Sequence, residues 1–194
     1  MAHNTVAPDE MTQSAEPGQP AARLLRAEEA GPFVIIESDA AQAWPGLGVK
    51  VLRRLVHLRP ATLVVEDVVE WQRPAVTRQY WQSRGEWQRD GDVWTACVDG
   101  AEVRVDVLLG EGATASAAPY SVDGDLKPVH RLCVETPKAR QARIVTLIRA
   151  RSNAAAPWDS IAVWEAPGKA LRLESRDGRR FAVRWEAGTV RLEQ

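Results

Sequence analysis

Two runs of β-branched and aliphatic residues, Val51 to Leu58 and Thr62 to Trp71, stand on either side of Arg59-Pro60-Ala61. Each run is long enough to cross a sheet, and a proline between them fits a turn but not a central strand. The pattern predicts a hairpin at the centre of an antiparallel sheet. Arg53, Arg54, His57, Glu66 and Asp67 interrupt the apolar sequence. Burying even a neutral polar group without a partner costs roughly 2–7 kcal/mol, so one edge of this hairpin is expected to be polar or paired.

Beyond Trp71 the pattern is regular. Short runs at Val76 to Ser83, Glu86 to Arg89, Val93 to Val98 and Glu102 to Leu109 are separated by turn signals at Gly85, Asp90-Gly91 and Asp99-Gly100. Asp-Gly between β-runs supplies the positive φ that tight hairpins demand. In Glu102 to Leu109, alternation puts Val103, Val105 and Val107 on one side and Glu102, Arg104 and Asp106 on the other, a strand with one wet face. Gly110 to Pro128, rich in Gly, Ala, Ser and Pro, reads as a long connection. Val129 to Glu135, Ala142 to Ala150, Ile161 to Glu165, Ala170 to Ser175, Phe181 to Glu186 and Thr189 to Glu193 follow as strands, with the last turns at Asp177-Gly178 and Ala187-Gly188. Val103, Val105, Val107, Ile144, Ile148, Phe181 and Val183 are the expected core.

Ahead of the hairpin, Met1 to Pro20 is loop-like, and Ala21 to Ala30 favours helix on propensity until Gly31-Pro32 ends it. Phe33 to Glu37 reads as a strand, and Ala40 to Gly48 as a loop. Many short, evenly spaced strands with almost no helical period predict an all-β fold, an antiparallel multi-stranded β-sandwich. Residues 1–30 form a loop-like N-terminal segment in this reading, and residues 31–194 a single sandwich domain.

The composition narrows the class. A chain of 194 residues, 45% of them hydrophobic, holds enough apolar surface for a real core. Lys+Arg 25 against Asp+Glu 26 leaves a formal charge of -1, so no global field recruits nucleic acid or an anionic membrane. No apolar run approaches the ~20 residues that span a bilayer, and the N-terminus has no signal-peptide pattern. Cys97 and Cys133 are too few for a disulfide framework or a thiolate zinc site and are expected as buried free thiols. The eight tryptophans fit either a packed core or a flat sugar-stacking face.

No phosphate loop, nucleophile elbow or helical pair of metal-binding histidines is present. His57 and His130 fall within strand-like runs and read as structural. Tyr80 and Tyr120 match no catalytic motif. His3 differs because of its neighbours. The run His3-Asn4-Thr5-Val6, followed by Asp9 and Gln13, resembles the H-N-T-V-x-V-D-G-x-x-Q segment of the heparinase II/III-like polysaccharide lyases, departing from it at Pro8 and Glu10. The arginine-bearing run Val51 to Leu58 and the run Thr62-Leu63-Val64-Val65-Glu66-Asp67 are similar to strands of that family's C-terminal β-rich region.

The resemblance implies a C-terminal β-sandwich portion of a lyase that cleaves uronate-containing, acidic polysaccharide by β-elimination. In that family an α/α toroid supplies the catalytic tyrosine and histidine, an H-x-H segment and a later aspartate supply most of a zinc site, and the histidine of the H-N-T segment completes its shell. His3 is therefore the residue carried over, as one ligand of a partial metal site. The other ligands and every catalytic residue are expected upstream of this chain, which reads as a portion severed from its toroid, inactive by itself and unlike a site that holds zinc alone. The bacterial periplasm or cell envelope is the compartment the resemblance implies. Arg53, Arg54, Arg59 and Arg78 are the expected contacts for an acidic glycan, because guanidinium pairs bidentately with carboxylate and sulfate. A different class remains open: a non-catalytic carbohydrate-binding or structural sandwich that stacks sugars on Trp71, Trp81, Trp87 and Trp94. Ring exposure discriminates between the two.

Overall fold

Pro60 sits in the turn between two long strands, and those strands form the middle of the largest sheet in the protein. The computed structural model describes residues 5–9, 11, 22–121, 129–153, 155–186 and 189–193. With strands numbered along the chain, the hairpin is β4 (Gly48–Leu58) and β5 (Thr62–Ala75), in register from Leu58 opposite Thr62 to Arg53 opposite Asp67. On the β4 side lie β3 (Phe33–Asp39) and then β2 (Arg23–Ala30) at the edge. On the β5 side lie β12 (Ala139–Arg151), β9 (Ala101–Leu109), β8 (Val93–Val98) and the short edge strand β7 (Trp87–Asp90). All neighbours in this eight-stranded sheet are antiparallel.

A smaller sheet covers each face. The first outer sheet has the order β1 (Val6–Pro8), β6 (Thr77–Ser83), β11 (Val129–Glu135) and β10 (Thr114–Tyr120). The C-terminal sheet is a meander of β13 (Ser160–Ala166), β14 (Ala170–Ser175), β15 (Arg180–Glu186) and β16 (Thr189–Glu193). Alternate residues of the central strands feed two cores. Phe33, Val56, Val64 and Leu147 pack against Leu171, Leu173, Phe181 and Val183 of the C-terminal sheet, while Val65 and Val105 meet Trp81 and Leu132 of the first outer sheet. The all-β antiparallel sandwich is thus built in three layers. Helical structure among the described residues is confined to a 3-10 turn at Ala41–Ala43. No helix there is long and apolar enough to cross a membrane.

Burial on both faces explains why the hairpin is nearly continuous in apolar residues, and it decides what happens to the charges within it. Arg53 bonds Asp67 through Nε and Nη2, both at 2.7 Å, on the side of the first outer sheet. Arg54 Nη1 meets Glu66 at 2.5 Å on the opposite side. The polar interruptions are therefore paired across the hairpin rather than gathered at an edge. The Asp99-Gly100 turn forms as predicted, both residues at positive φ (51° and 83°) between paired Val98 and Ala101.

Several expectations give way to tertiary context. Two strands occupy the stretch expected to be loop-like or helical. β2 pairs with β3 from Ala30 opposite Phe33 onward, and its backbone bonds outweigh a propensity difference worth only tenths of a kcal/mol per residue. A helix there would have had no face to bury, since β2 is exposed or half-buried throughout. The long connection contains β10, whose small residues suit an edge strand laid over Trp-rich packing. The wet side of β9 is only partly wet: Arg104 bonds Asp106, Arg149 reaches Asp106 at 2.8 Å and Arg151 reaches Glu102 at 2.7 Å. Val103, Val107 and Ile148 are half-buried, Val103 and Ile148 at the margin of the cluster around Trp81, Trp87 and Trp94. Ile144, Phe181, Val183 and Val105 are buried as expected. Cys97 is an exposed free thiol and Cys133 a half-buried one, correcting the expectation of two buried thiols.

Val105 is 1% exposed between the central and first outer sheets. Truncation to alanine is expected to cost about 1–3 kcal/mol of unfolding free energy by denaturant titration. A cost near zero would contradict this register.

Candidate functional site

The outward face of the first outer sheet collects the chemistry-bearing side chains that the core does not absorb. Thr77, Gln79 and Trp81 of β6 point inward and are buried, as are Leu132 and Val134 of β11. Alternation therefore turns Arg78, Tyr80, Arg131, Cys133 and Glu135 outward. β10 adds Tyr120 at its end, with Tyr120 opposite Val129 and Tyr80 opposite Cys133 in the register. The guanidinium carbon of Arg131 lies 3.2 Å from the centroid of the Tyr120 ring and 4.7 Å from that of Tyr80. Arg78 Nε donates to Glu135 at 2.6 Å beside this stack.

Burial pushes the Tyr80 phenol above its ordinary value, with nearby Cys133 adding to the rise against the opposing pull of Arg78 and Arg131. Burial likewise pushes the Cys133 thiol up to about 11. A phenol or thiol tuned for catalysis would be shifted the other way, toward working pH. Tyr80 and Cys133 are neutral packing and hydrogen-bonding groups here, and this face presents no ionised base or nucleophile from either.

The four arginines expected at a glycan site are not brought together. Arg53 is enclosed between layers, and Asp67, which it grips, also accepts from Gln79 at 2.6 Å. Arg54 is 4% exposed on the opposite face. Arg59 is exposed at the hairpin turn, 2.8 Å from Glu29, and Arg78 alone lies on the outward face just described. Interlayer burial explains the scattering: adjacent positions 53 and 54 point to opposite sides of one sheet and both find carboxylates.

A row of alternating charge missed at the level of sequence crosses five adjacent strands on the side facing the C-terminal sheet. Arg26 Nη1 lies 3.5 Å from Glu37, which is 3.9 Å from Arg54 Nε. Glu66 takes Arg54 on one oxygen and Arg143 Nε, at 2.6 Å, on the other. Both ends of the row fasten to the C-terminal meander, Arg26 through the Val190 carbonyl and Arg143 through the Gly168 carbonyl. The signal was present as alternating signs in paired strands, but it is legible only once the strand order is known.

A hollow of about 880 Å³ opens where the chain changes layers, between the β9–β10 and β11–β12 connections. Lys50 and Arg143 line it together with Glu70, Glu111 and Gln141. Charges of both signs alternate around it, and no nucleophile and base converge. The four tryptophan rings of the sugar-stacking alternative are all buried: Trp71 at 1%, Trp81 at 6%, Trp87 and Trp94 at 7%. They fill the space between sheets and present no platform.

His3 lies outside the described residues. His57 Nε2 is 3.3 Å from the Pro60 carbonyl oxygen, at the hairpin turn, and His130 is a half-buried residue of β11. Among the described residues no group of three or more His, Cys, Asp or Glu side chains converges to hold a metal. The described residues do not by themselves supply a zinc shell.

Three antiparallel layers of four, eight and four strands define the class of protein by architecture. The same architecture occurs in solved polysaccharide lyases. Heparan sulfate lyase HepC from Pedobacter heparinus superposes with a TM-score of 0.71 over 98% of this chain at 14% identity, and a mutant of it gives 0.70 over 94% at 14%. A heparinase III gives 0.66 over 93% at 15%. This chain spans only about 30% of the length of each of these proteins. No protein-family model and no curated protein sequence matches the chain.

Proposed function

We propose that this chain is the C-terminal β-sandwich portion of a heparinase II/III-like polysaccharide lyase acting on uronate-containing polysaccharide, and that it packs against a catalytic α/α toroid to close one wall of the substrate cleft. The observation that carries the reading is the fold likeness to heparan sulfate lyases across nearly the whole chain but about 30% of theirs. The His3-Asn4-Thr5-Val6 run adds to it, because its last residue, Val6, enters β1 at the edge of the first outer sheet. In the assembled enzyme His3 would be one ligand of a zinc shell whose other members lie upstream.

The division of labour follows from the chemistry. Cleavage of a uronic-acid glycoside removes the C5 proton and expels the 4-linked oxygen. It requires neutralisation of the substrate carboxylate and an acid and base within hydrogen-bond reach. Tyr80 carries a raised phenol value, and the buried charged residues of the central sheet, Glu37, Arg54, Glu66, Asp67 and Arg149, are held in ion pairs. The chain is therefore expected to show no turnover on heparan-type polymers, with or without zinc, measured as ultraviolet absorbance of the unsaturated uronate product. A zinc-dependent rise abolished in His3→Ala would overturn the account of a separate toroid. The coding sequence ahead of Met1 gives an independent test: an in-frame H-x-H segment and helical toroid pattern support the reading, and an unrelated domain there sinks it.

A further inference from the structure

We propose that Arg131, clamped between Tyr120 and Tyr80 on the outward face of the first outer sheet, binds an oxyanion of an acidic glycan, a uronate carboxylate or a sulfate. The inference rests on the reading of this chain as a cleft wall, and it names the contact which that wall makes.

The fold treats Arg131 differently from the arginines around it. Arg53, Arg54, Arg78, Arg149 and Arg151 each meet a carboxylate within 2.8 Å. Arg131 meets none among the described residues, and its Nε, like those of Arg149 and Arg151, is buried without a hydrogen-bond acceptor there, so the missing carboxylate is what sets it apart. Its neighbours on the face do not neutralise it. Arg78 and Glu135 cancel one another at 2.6 Å, and Tyr80 and Cys133 are held neutral by burial. Among the described residues one positive charge is left over on a half-buried surface, where water screens it less than in bulk.

The clamp also fixes the direction in which that charge acts. The ring of Tyr120 at 3.2 Å and that of Tyr80 at 4.7 Å engage the guanidinium by cation–π attraction and restrict the side chain's rotamers. Guanidinium N–H groups lie in the plane of the group and form a fork that matches carboxylate or sulfate bidentately. A donor ordered before the ligand arrives loses less freedom on binding.

The test uses the full chain at low ionic strength, with retention measured on three polymers: heparan sulfate, a sulfate-free uronate polymer and neutral dextran. The wild-type chain is expected to be retained by the acidic polymers and not by dextran. Arg131→Gln should weaken retention about tenfold, the loss of one charge-assisted bidentate contact. A loss on both acidic polymers identifies carboxylate, and a loss on heparan sulfate alone identifies sulfate. Tyr120→Phe should bind as wild type, because the ring face persists, whereas Tyr120→Leu should weaken binding. Arg191→Gln, exposed on the C-terminal sheet, should change nothing. Melting temperatures of all variants separate lost binding from lost folding, and Arg131→Lys, which keeps the charge but not the fork, gives an intermediate affinity if Arg131→Gln does not fold. Retention unchanged in Arg131→Gln overturns this assignment while the wild type's own binding leaves the cleft-wall reading intact. Equal losses in Arg191→Gln, or no wild-type retention on any acidic polymer, also overturn it, and the upstream coding sequence then decides the lyase reading separately.

Discussion

Glu66→Leu is expected to lower the unfolding free energy by about 3–5 kcal/mol, the range for removing one partner of a buried charge pair. Glu66 is 2% exposed and receives Arg54 on one carboxylate oxygen and Arg143 on the other. Its loss takes from Arg54, itself 4% exposed beneath the C-terminal sheet, the carboxylate at 2.5 Å and leaves Glu37 more distant at 3.9 Å. Arg143 fares better, since it keeps the Gly168 carbonyl and its place over the Trp185 ring at 5.4 Å. The cost therefore falls mainly on Arg54. The double variant Arg54→Met with Glu66→Leu should recover much of the stability, because well-packed apolar groups often replace a buried ion pair without loss. Denaturant titration of the three proteins checks this. A single-variant cost below about 1 kcal/mol, typical of an exposed pair, would mean that water reaches the row.

Trp71→Ala carries the second large effect, about 3–5 kcal/mol for a large-to-small change in a close-packed core. Trp71 is 1% exposed and stands edge-on to Trp44, with ring centroids 6.5 Å apart at 90°. Its Nε1 donates to Thr77 Oγ1 at 2.9 Å, so truncation also removes a partner from a buried hydroxyl. Val6 and Ala7 of β1 pack in the same cluster. The variant should thus lose protection of β1 amides from hydrogen exchange before the central sheet opens. Thermal unfolding gives the magnitude, and exchange at Val6 and Ala7 gives the location. Uniform loss of protection across all three sheets would contradict a local role.

What could be read from the sequence was what is written in local period. The Val51 to Trp71 hairpin and the Asp99-Gly100 and Asp177-Gly178 turns all combine runs of strand formers with turn residues that need positive φ or proline, and each forms where expected, while the expected Ala187-Gly188 turn lies outside the described residues. Three features escaped because they depend on partners distant in the chain. Ala21 to Ala30 has helical propensity, yet the free edge of β3 claims it. Thr114 to Tyr120 has the composition of a loop, yet β11 lies alongside to pair with it. The central strands look like ordinary one-face strands wherever a charge interrupts them, and nothing local reveals that a third layer covers the second face. The same blindness applies to the candidate site. Tyr80, Tyr120 and Arg131 are individually unremarked residues, and only the order β6, β11, β10 stacks them. Arg53 and Arg54 are prominent in sequence for the opposite reason, since a charge inside an apolar run draws notice whether it serves a ligand or the fold.

The pairing of β5 with β12 joins Glu66 to Arg143, which are 77 residues apart. At synthesis rates of about 5–20 residues per second, the hairpin waits on the order of 4–15 seconds before its second neighbour exists. During that interval the nascent chain carries a long, Val-rich strand with an open edge, the geometry most prone to pairing with another chain. Asp67 has its hairpin partner Arg53 already in place, and Glu66 has Arg54, so each face of the waiting hairpin carries fixed charge in its middle. Charges set into an unfinished edge oppose stacking of identical copies, where like groups would face one another in register. The pairs Arg53–Asp67 and Arg54–Glu66, only 14 and 12 residues apart, need nothing beyond the hairpin itself, so they belong to its own structure before the layers that bury them exist.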